Sequence, residues 1–148
     1  MTVVRMGAGL LAVAGLICTV AGCGAETSSA SAPKEVTWEE PAAYTYTLTS
    51  SEGERSLIGR FRVTVRDGKV TEAVGLDDSA RRVVERAPDQ VPTLGALLGA
   101  LKQARSDGAD TAEAEYAADG HPERIFLDWD ENAVDDEERY VVESYEPA

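Results

Sequence analysis

Arg60-Phe61-Arg62-Val63-Thr64-Val65-Arg66 alternates polar and apolar residues without a break and runs straight into Asp67-Gly68. A period of two puts every apolar side chain on one face, the pattern of a strand with one buried and one wet side. Both turn residues tolerate positive φ, so Asp67-Gly68 specifies a two-residue hairpin. A chain built on such hairpins forms an antiparallel sheet and needs to cover only one face of it. The two-residue loop sets Val65 opposite Val70 and Phe61 opposite Val74. The same register sets Glu72 opposite Val63, which is unfavourable on a buried face. Either a β-bulge or an edge position relieves it, and the pattern leaves both open.

Other segments repeat the alternation. Tyr44-Thr45-Tyr46-Thr47-Leu48-Thr49 precedes the hairpin, and Ala112-Glu113-Ala114-Glu115-Tyr116 follows later. Arg124 to Trp129 sets Ile125, Leu127 and Trp129 on one side, and Arg139 to Tyr145 sets Tyr140 and Val142 together. One segment has helical spacing instead. Thr93 stands as N-cap before Leu94, Leu97, Leu98, Leu101 and Ala104, and Asp107-Gly108 ends the run. Gly95 and Gly99 weaken that helix. Residues 76–91 are ambiguous, since Arg81-Arg82-Val83-Val84-Glu85-Arg86 suits a short strand or a helical turn equally. The predicted fold is α+β: an antiparallel sheet of about five to six strands in the order β-β-β-α-β-β-β, with one amphipathic helix on one face.

The N-terminus has a different grammar. Arg5 is followed by an uncharged, Leu-, Ala- and Val-rich run that ends at Val20-Ala21-Gly22-Cys23. Small residues before the cleavage point suit a signal peptidase, and a cysteine in place of the usual small residue offers a thiol for lipid attachment. Residues 1–22 are therefore expected to be a lipoprotein signal peptide, with Cys23 lipidated and first in the processed chain. The competing reading is an uncleaved transmembrane helix, because residues 6–25 carry no charge. Five glycines in that window and the lack of a following basic cluster argue against it. Residues 23–35 form the lipidated cysteine and a small, polar tether with a reach of about 20 Å. Residues 36–148 form a single domain.

Charge and cysteine usage exclude several function classes. The full chain has 27 Asp and Glu against 14 Lys and Arg, a net charge of −13. Such a surface repels nucleic acid and anionic lipid. Cys18 would leave with the signal and Cys23 would carry lipid, so the domain has no thiol for a disulfide or a metal.

Catalytic signals are sparse. His121 is the single histidine, beside Pro122 in a turn, and no Gly-x-Ser-x-Gly elbow accompanies it. Glycine-rich phosphate loops are absent. The densest chemistry is the acidic run Asp128 to Glu138. Asp128, Asp130 and Asn132 match positions 1, 3 and 5 of an EF-hand loop. Position 6 falls on Ala133 instead of Gly and position 12 on Arg139 instead of Glu, so the template fails where its geometry is most demanding. A solvated turn is the plainer reading. A Ca²⁺ site built from Asp128, Asp130, Asn132, Asp135 and Asp136 is the alternative.

These residues also occur in a familiar order. Tyr44-x-Tyr46-Thr47, Arg62-Val63-x-Val65-x-Asp67-Gly68-x-Val70, the Pro92-Thr93-Leu94 helix start, Tyr116, Gly120-x-Pro122-x-x-Ile125-x-x-Asp128 and Asn132-x-Val134-Asp135-Asp136-Glu137-x-x-Tyr140 follow one another. The pattern resembles a family of small exported bacterial domains catalogued as domain of unknown function 6174, over about residues 38–146. Two positions depart from it: His121 stands in place of an aromatic residue, and Ala117-Ala118 in place of an Asp-Pro. The resemblance implies a single exported α+β domain, often lipid-anchored, and supplies no catalytic residues. The expected function is a non-enzymatic, lipid-anchored extracytoplasmic module on the cell membrane that binds a protein or cell-envelope component. No cofactor and no nucleic-acid partner are expected.

Overall fold

A computed structural model of the protein describes residues 38–52 and 57–148. The expected signal peptide (residues 1–22), Cys23 and the expected tether lie outside the described residues. The elements are β1 (Ala43–Ser51), β2 (Gly59–Arg66), β3 (Lys69–Gly75), α1 (Asp78–Arg86), a short 3₁₀ turn (Pro88–Gln90), α2 (Leu94–Asp107), β4 (Thr111–Tyr116), β5 (Pro122–Asp128) and β6 (Glu138–Pro147). The six strands make one antiparallel sheet in the order β3-β2-β1-β6-β5-β4. The last strand returns to pair with the first, so β1 and β6 lie at the centre and two hairpins flank them.

The first hairpin resolves the register problem. Asp67 and Gly68 both take positive φ, 50° and 69°, and Val65 faces Val70 as the loop dictates. A bulge then intervenes: Thr64 pairs with Glu72, Val63 with Ala73 and Phe61 with Gly75. The extra residue, Thr71, turns Glu72 to the wet face and brings Ala73 onto the core face opposite Val63. Phe61 thus faces Gly75 and not Val74. β3 is also an edge strand, so both devices that the sequence left open are in use.

Two helices cover the apolar face. α2 lies over β4 and β5 and buries Leu94, Leu97, Leu101 and Ala104 of the predicted stripe, with Leu98 half-buried. Thr93 caps it, accepting the Ala96 N–H at 3.1 Å, and Gly108 closes it in the left-handed conformation. The ambiguous stretch forms the second helix, α1, over β2 and β3. Only Ala80 of α1 is fully buried, with Val83 and Val84 half-buried, which leaves too thin a stripe for periodicity to decide. Its start is set by Asp77, whose carboxylate accepts the Ala80 N–H and the Arg60 N–H, both at 2.7 Å. The same carboxylate therefore caps the helix and ties it to β2. Gly75 allows the approach, since a Cβ there would come within 2.6 Å of Arg81 Cα.

The core joins Tyr44, Tyr46 and Leu48 of β1 to Phe61, Val63 and Val65 of β2, Ile125 and Leu127 of β5, and the helix stripe. Truncating one of these aliphatic side chains to Ala costs about 2–5 kcal/mol. The opposite face is wet and charged. Arg60 pairs with Glu143 at 2.9 Å, Arg124 with Glu115 at 3.0 Å, and Arg139 stacks 4.7 Å from the Phe126 ring centroid. No helix among the described residues is long and apolar enough to cross a membrane.

Candidate functional site

The acidic run forms the connection between β5 and β6, and its side chains mostly bind their own backbone. Asp136 accepts the Asp130 N–H at 2.9 Å. Asp130 accepts the Asn132 N–H at 3.0 Å and the Asn132 side-chain amide at 3.2 Å. Asp110, from the segment before β4, accepts the Glu131 N–H at 2.9 Å. Asp135 is exposed with a positive φ of 70°. Glu138, at the start of β6, is buried and accepts from the Trp129 indole at 3.3 Å and the Tyr140 hydroxyl at 2.5 Å. These bonds shape a turn that carries a dense negative charge.

Of the five predicted ligands, Asp128 and Asp136 come together electrostatically. Each keeps one buried carboxylate oxygen, Oδ1, with no hydrogen-bond partner. Loss of hydration pushes the Asp128 carboxyl above its ordinary value, and the charges of Asp136, Glu137 and Asp110 push it further. Asp130 is held below its ordinary value by the bonds it accepts from Asn132. Asp130 and Asn132 are committed to each other, and Asp135 points into solvent. Among the described residues, no three His, Cys, Asp or Glu side chains converge as a metal-ligand set.

A second assembly gathers residues far apart in sequence, at the start of α2. Tyr44 donates its hydroxyl hydrogen to Glu40 and accepts the Leu94 N–H at 2.9 Å. Glu40 in turn accepts the Gly95 N–H at 3.2 Å. Tyr46 donates to the Pro92 carbonyl. With Thr93, three side chains thus satisfy amide groups of the helix's first turn, and a carboxylate sits against its positive end. Gly95, a weak residue by propensity, leaves room for that carboxylate: a Cβ at position 95 would clash with it, lying within 2.8 Å of Glu40 Cδ. Burial pushes both tyrosine hydroxyls well above their ordinary range, and Glu40 adds to the shift.

His121 joins this assembly through Tyr145. The two rings stack with centroids 4.1 Å apart, and Tyr145 also packs on Tyr44 (5.7 Å) and edge-to-face on Trp38 (6.3 Å). His121 Nδ1 lies 2.5 Å from Asp119 Oδ1, and the His121 side chain is 14% exposed. Some loss of hydration acts to raise the Asp119 carboxyl, but its bonds to the His121 ring and N–H outweigh this and hold it below its ordinary value. Among the described residues, no serine or threonine hydroxyl hydrogen-bonds to His121. Its ring fills an aromatic cluster, with the carboxylate fixing its orientation. The sequence suggested a turn residue, and the backbone bond from Ala117 N–H to the His121 carbonyl (2.9 Å) closes that turn. The stack on Tyr145 has no local signal, because 24 positions separate the partners.

Residues 31–147 match a family described as a family of unknown function, DUF6174. The chain belongs to that family. No curated protein and no solved structure matches it. The DUF6174 match spans both assemblies: Tyr44, Tyr46, Pro92 and Thr93 build the helix start, and the Asn132 to Tyr140 segment forms the acidic turn. His121 and Ala117-Ala118, the positions expected to depart from the family pattern, fall together in the β4–β5 turn, where the His121 ring stacks on Tyr145.

Proposed function

We propose that this DUF6174 chain is a lipid-anchored extracytoplasmic module that binds a protein or cell-envelope component and catalyses no reaction. The observation that carries this reading is how the reactive side chains are spent. Glu40, Tyr44 and Tyr46 satisfy the α2 start, Asp119 orients His121, and Asp130 and Asn132 brace their own turn. A catalytic set needs a nucleophile or an acid–base pair that converges on open space. Here the convergent groups are consumed by the fold, which favours recognition through a surface. The Val20-Ala21-Gly22-Cys23 run supplies the anchor, and two or more acyl chains give stable membrane attachment. The test is retention from cell-envelope extracts by the immobilised full chain. Specific retention of a component supports binding; an empty eluate across extracts contradicts it.

A second reading rests on the two buried Oδ1 atoms of Asp128 and Asp136. Two unpaired carboxylate oxygens, with Asp110 and Glu137 adding negative potential, favour a divalent cation at this turn. Ca²⁺ calorimetry tests it.

A further inference from the structure

The sheet ends on two edge strands, β3 and β4, and they are treated differently. On β4, the Arg105 guanidinium of α2 donates to the Ala112 carbonyl at 3.0 Å, so a side chain occupies part of the backbone. Among the described residues, no side chain hydrogen-bonds to the backbone of β3. β3 also carries one of the two large apolar side chains that are exposed among the described residues, Val74, at 42%. An open edge beside an exposed apolar residue is a template for another strand.

A groove of about 530 Å³ runs beside this strand. One wall is the unbroken stretch Gly68 to Ala73; the other is Pro88, Asp89, Val91, Pro92, Thr93 and Ala96. Successive side chains of a strand point to opposite faces. A groove lined both by Glu72, on the wet face after the Thr71 bulge, and by Ala73, on the core face, therefore follows the strand's edge and does not sit over one face. Five residues of strand give it a length of about 16 Å. The strand's outward backbone follows from the ladder, with Ala73 in the groove and Gly75 beyond its lining. Leu76 N–H donates to the Arg60 carbonyl at 2.8 Å, and antiparallel alternation then turns the N–H and C=O of Gly75 and Ala73 away from β2.

We infer that the β3 edge takes an extended peptide as a seventh strand, with alternate apolar side chains of that peptide seated against the Pro88–Ala96 wall. The shape of the site selects this occupant. A groove with a strand edge on one side and a wall that is apolar at Pro88, Val91, Pro92 and Ala96 on the other suits an extended chain, whose main chain supplies affinity and whose alternate side chains supply specificity. The inference rests on the binding reading above and gives it a location.

The test pans the full chain, held in detergent, against a phage-displayed library of random peptides. Selected peptides should slow amide exchange at Ala73 and Gly75. Ala73→Pro removes an outward N–H from an edge strand, where proline is tolerated, and should weaken binding by roughly tenfold or more. Ala96→Trp fills the groove from an exposed helix position and should do the same, so the outcome does not depend on one variant's folding. An empty selection, or peptides that bind both variants as well as the parent, overturns the inference. So does concentration-dependent dimerisation that Ala73→Pro abolishes, since the edge would then pair with a second copy. In the envelope-extract experiment, equal retention by the parent chain and Ala73→Pro overturns the edge site alone. Retention by neither counts against the binding reading itself.

Discussion

The Glu40 carboxylate accepts the Gly95 N–H at 3.2 Å, and the absence of a side chain at position 95 is what lets it in. Gly→Ala within a helix ordinarily stabilises by about 0.5–1 kcal/mol. Here Gly95→Ala is expected to destabilise, because it displaces the carboxylate from the first turn of α2. In a Glu40→Ala background the same substitution should recover its ordinary sign and stabilise by about 0.5–1 kcal/mol. Urea denaturation of the four proteins in this cycle reads the coupling. Additive effects would show that Glu40 does not occupy the helix start.

Tyr44→Phe removes one hydroxyl that both donates to Glu40 and accepts from Leu94. The ring stays, so the aromatic packing on Trp38 and Tyr145 should survive. The expected loss is about 1–3 kcal/mol, because a buried N–H is left without its partner. Denaturant midpoints measure it, and an unchanged slope would show that compactness is preserved.

Asp128 gives a prediction of opposite sign. Its carboxyl lies above the ordinary value of 3.8 because of desolvation and the neighbouring Asp136, Glu137 and Asp110. The folded state therefore holds that proton more tightly than the unfolded state. The resulting stability penalty is fully present at neutral pH and is relieved as pH falls through the raised folded value. Asp128→Asn should thus raise the melting temperature at pH 7, and the gain should shrink as pH falls towards 3.8. Melting curves across that window check it; a lowered melting temperature at pH 7 would contradict it.

The acidic turn makes a separate prediction for calcium. If Asp128 and Asp136 hold the ion with their unpaired oxygens, titrating Ca²⁺ into the parent chain should give a saturable heat that the Asp135→Asn, Asp136→Asn variant lacks. Identical traces from the two proteins would remove the cation reading.

Much of the fold was legible because it is written in local periodicity. The Asp67-Gly68 hairpin, the α2 stripe from Leu94 to Ala104 and the core faces of β5 and β6 follow from spacing and turn chemistry. α1 was not legible, since its burial comes down to Ala80 against two glycine-bearing strands. The bulge at Thr71 was signalled only as a conflict at Glu72. The candidate site divides in the same way. The acidic turn stands out as a run of charge, but its internal bonds among Asp130, Asn132 and Asp136 depend on the loop's closed shape. The cluster of Glu40, Tyr44, His121 and Tyr145 is assembled by pairing the first strand with the last, and nothing local announces it.

The proposed anchor is the feature on which the proposed function most depends, and Cys23→Ser tests it directly. Cells producing the parent chain or the variant are fractionated, and each fraction is probed for the protein. The account predicts that the parent chain stays with the membranes while Cys23→Ser appears in the soluble fraction, still folded by its thermal melt. Membrane retention of Cys23→Ser would contradict lipid attachment at this residue and favour an uncleaved transmembrane segment.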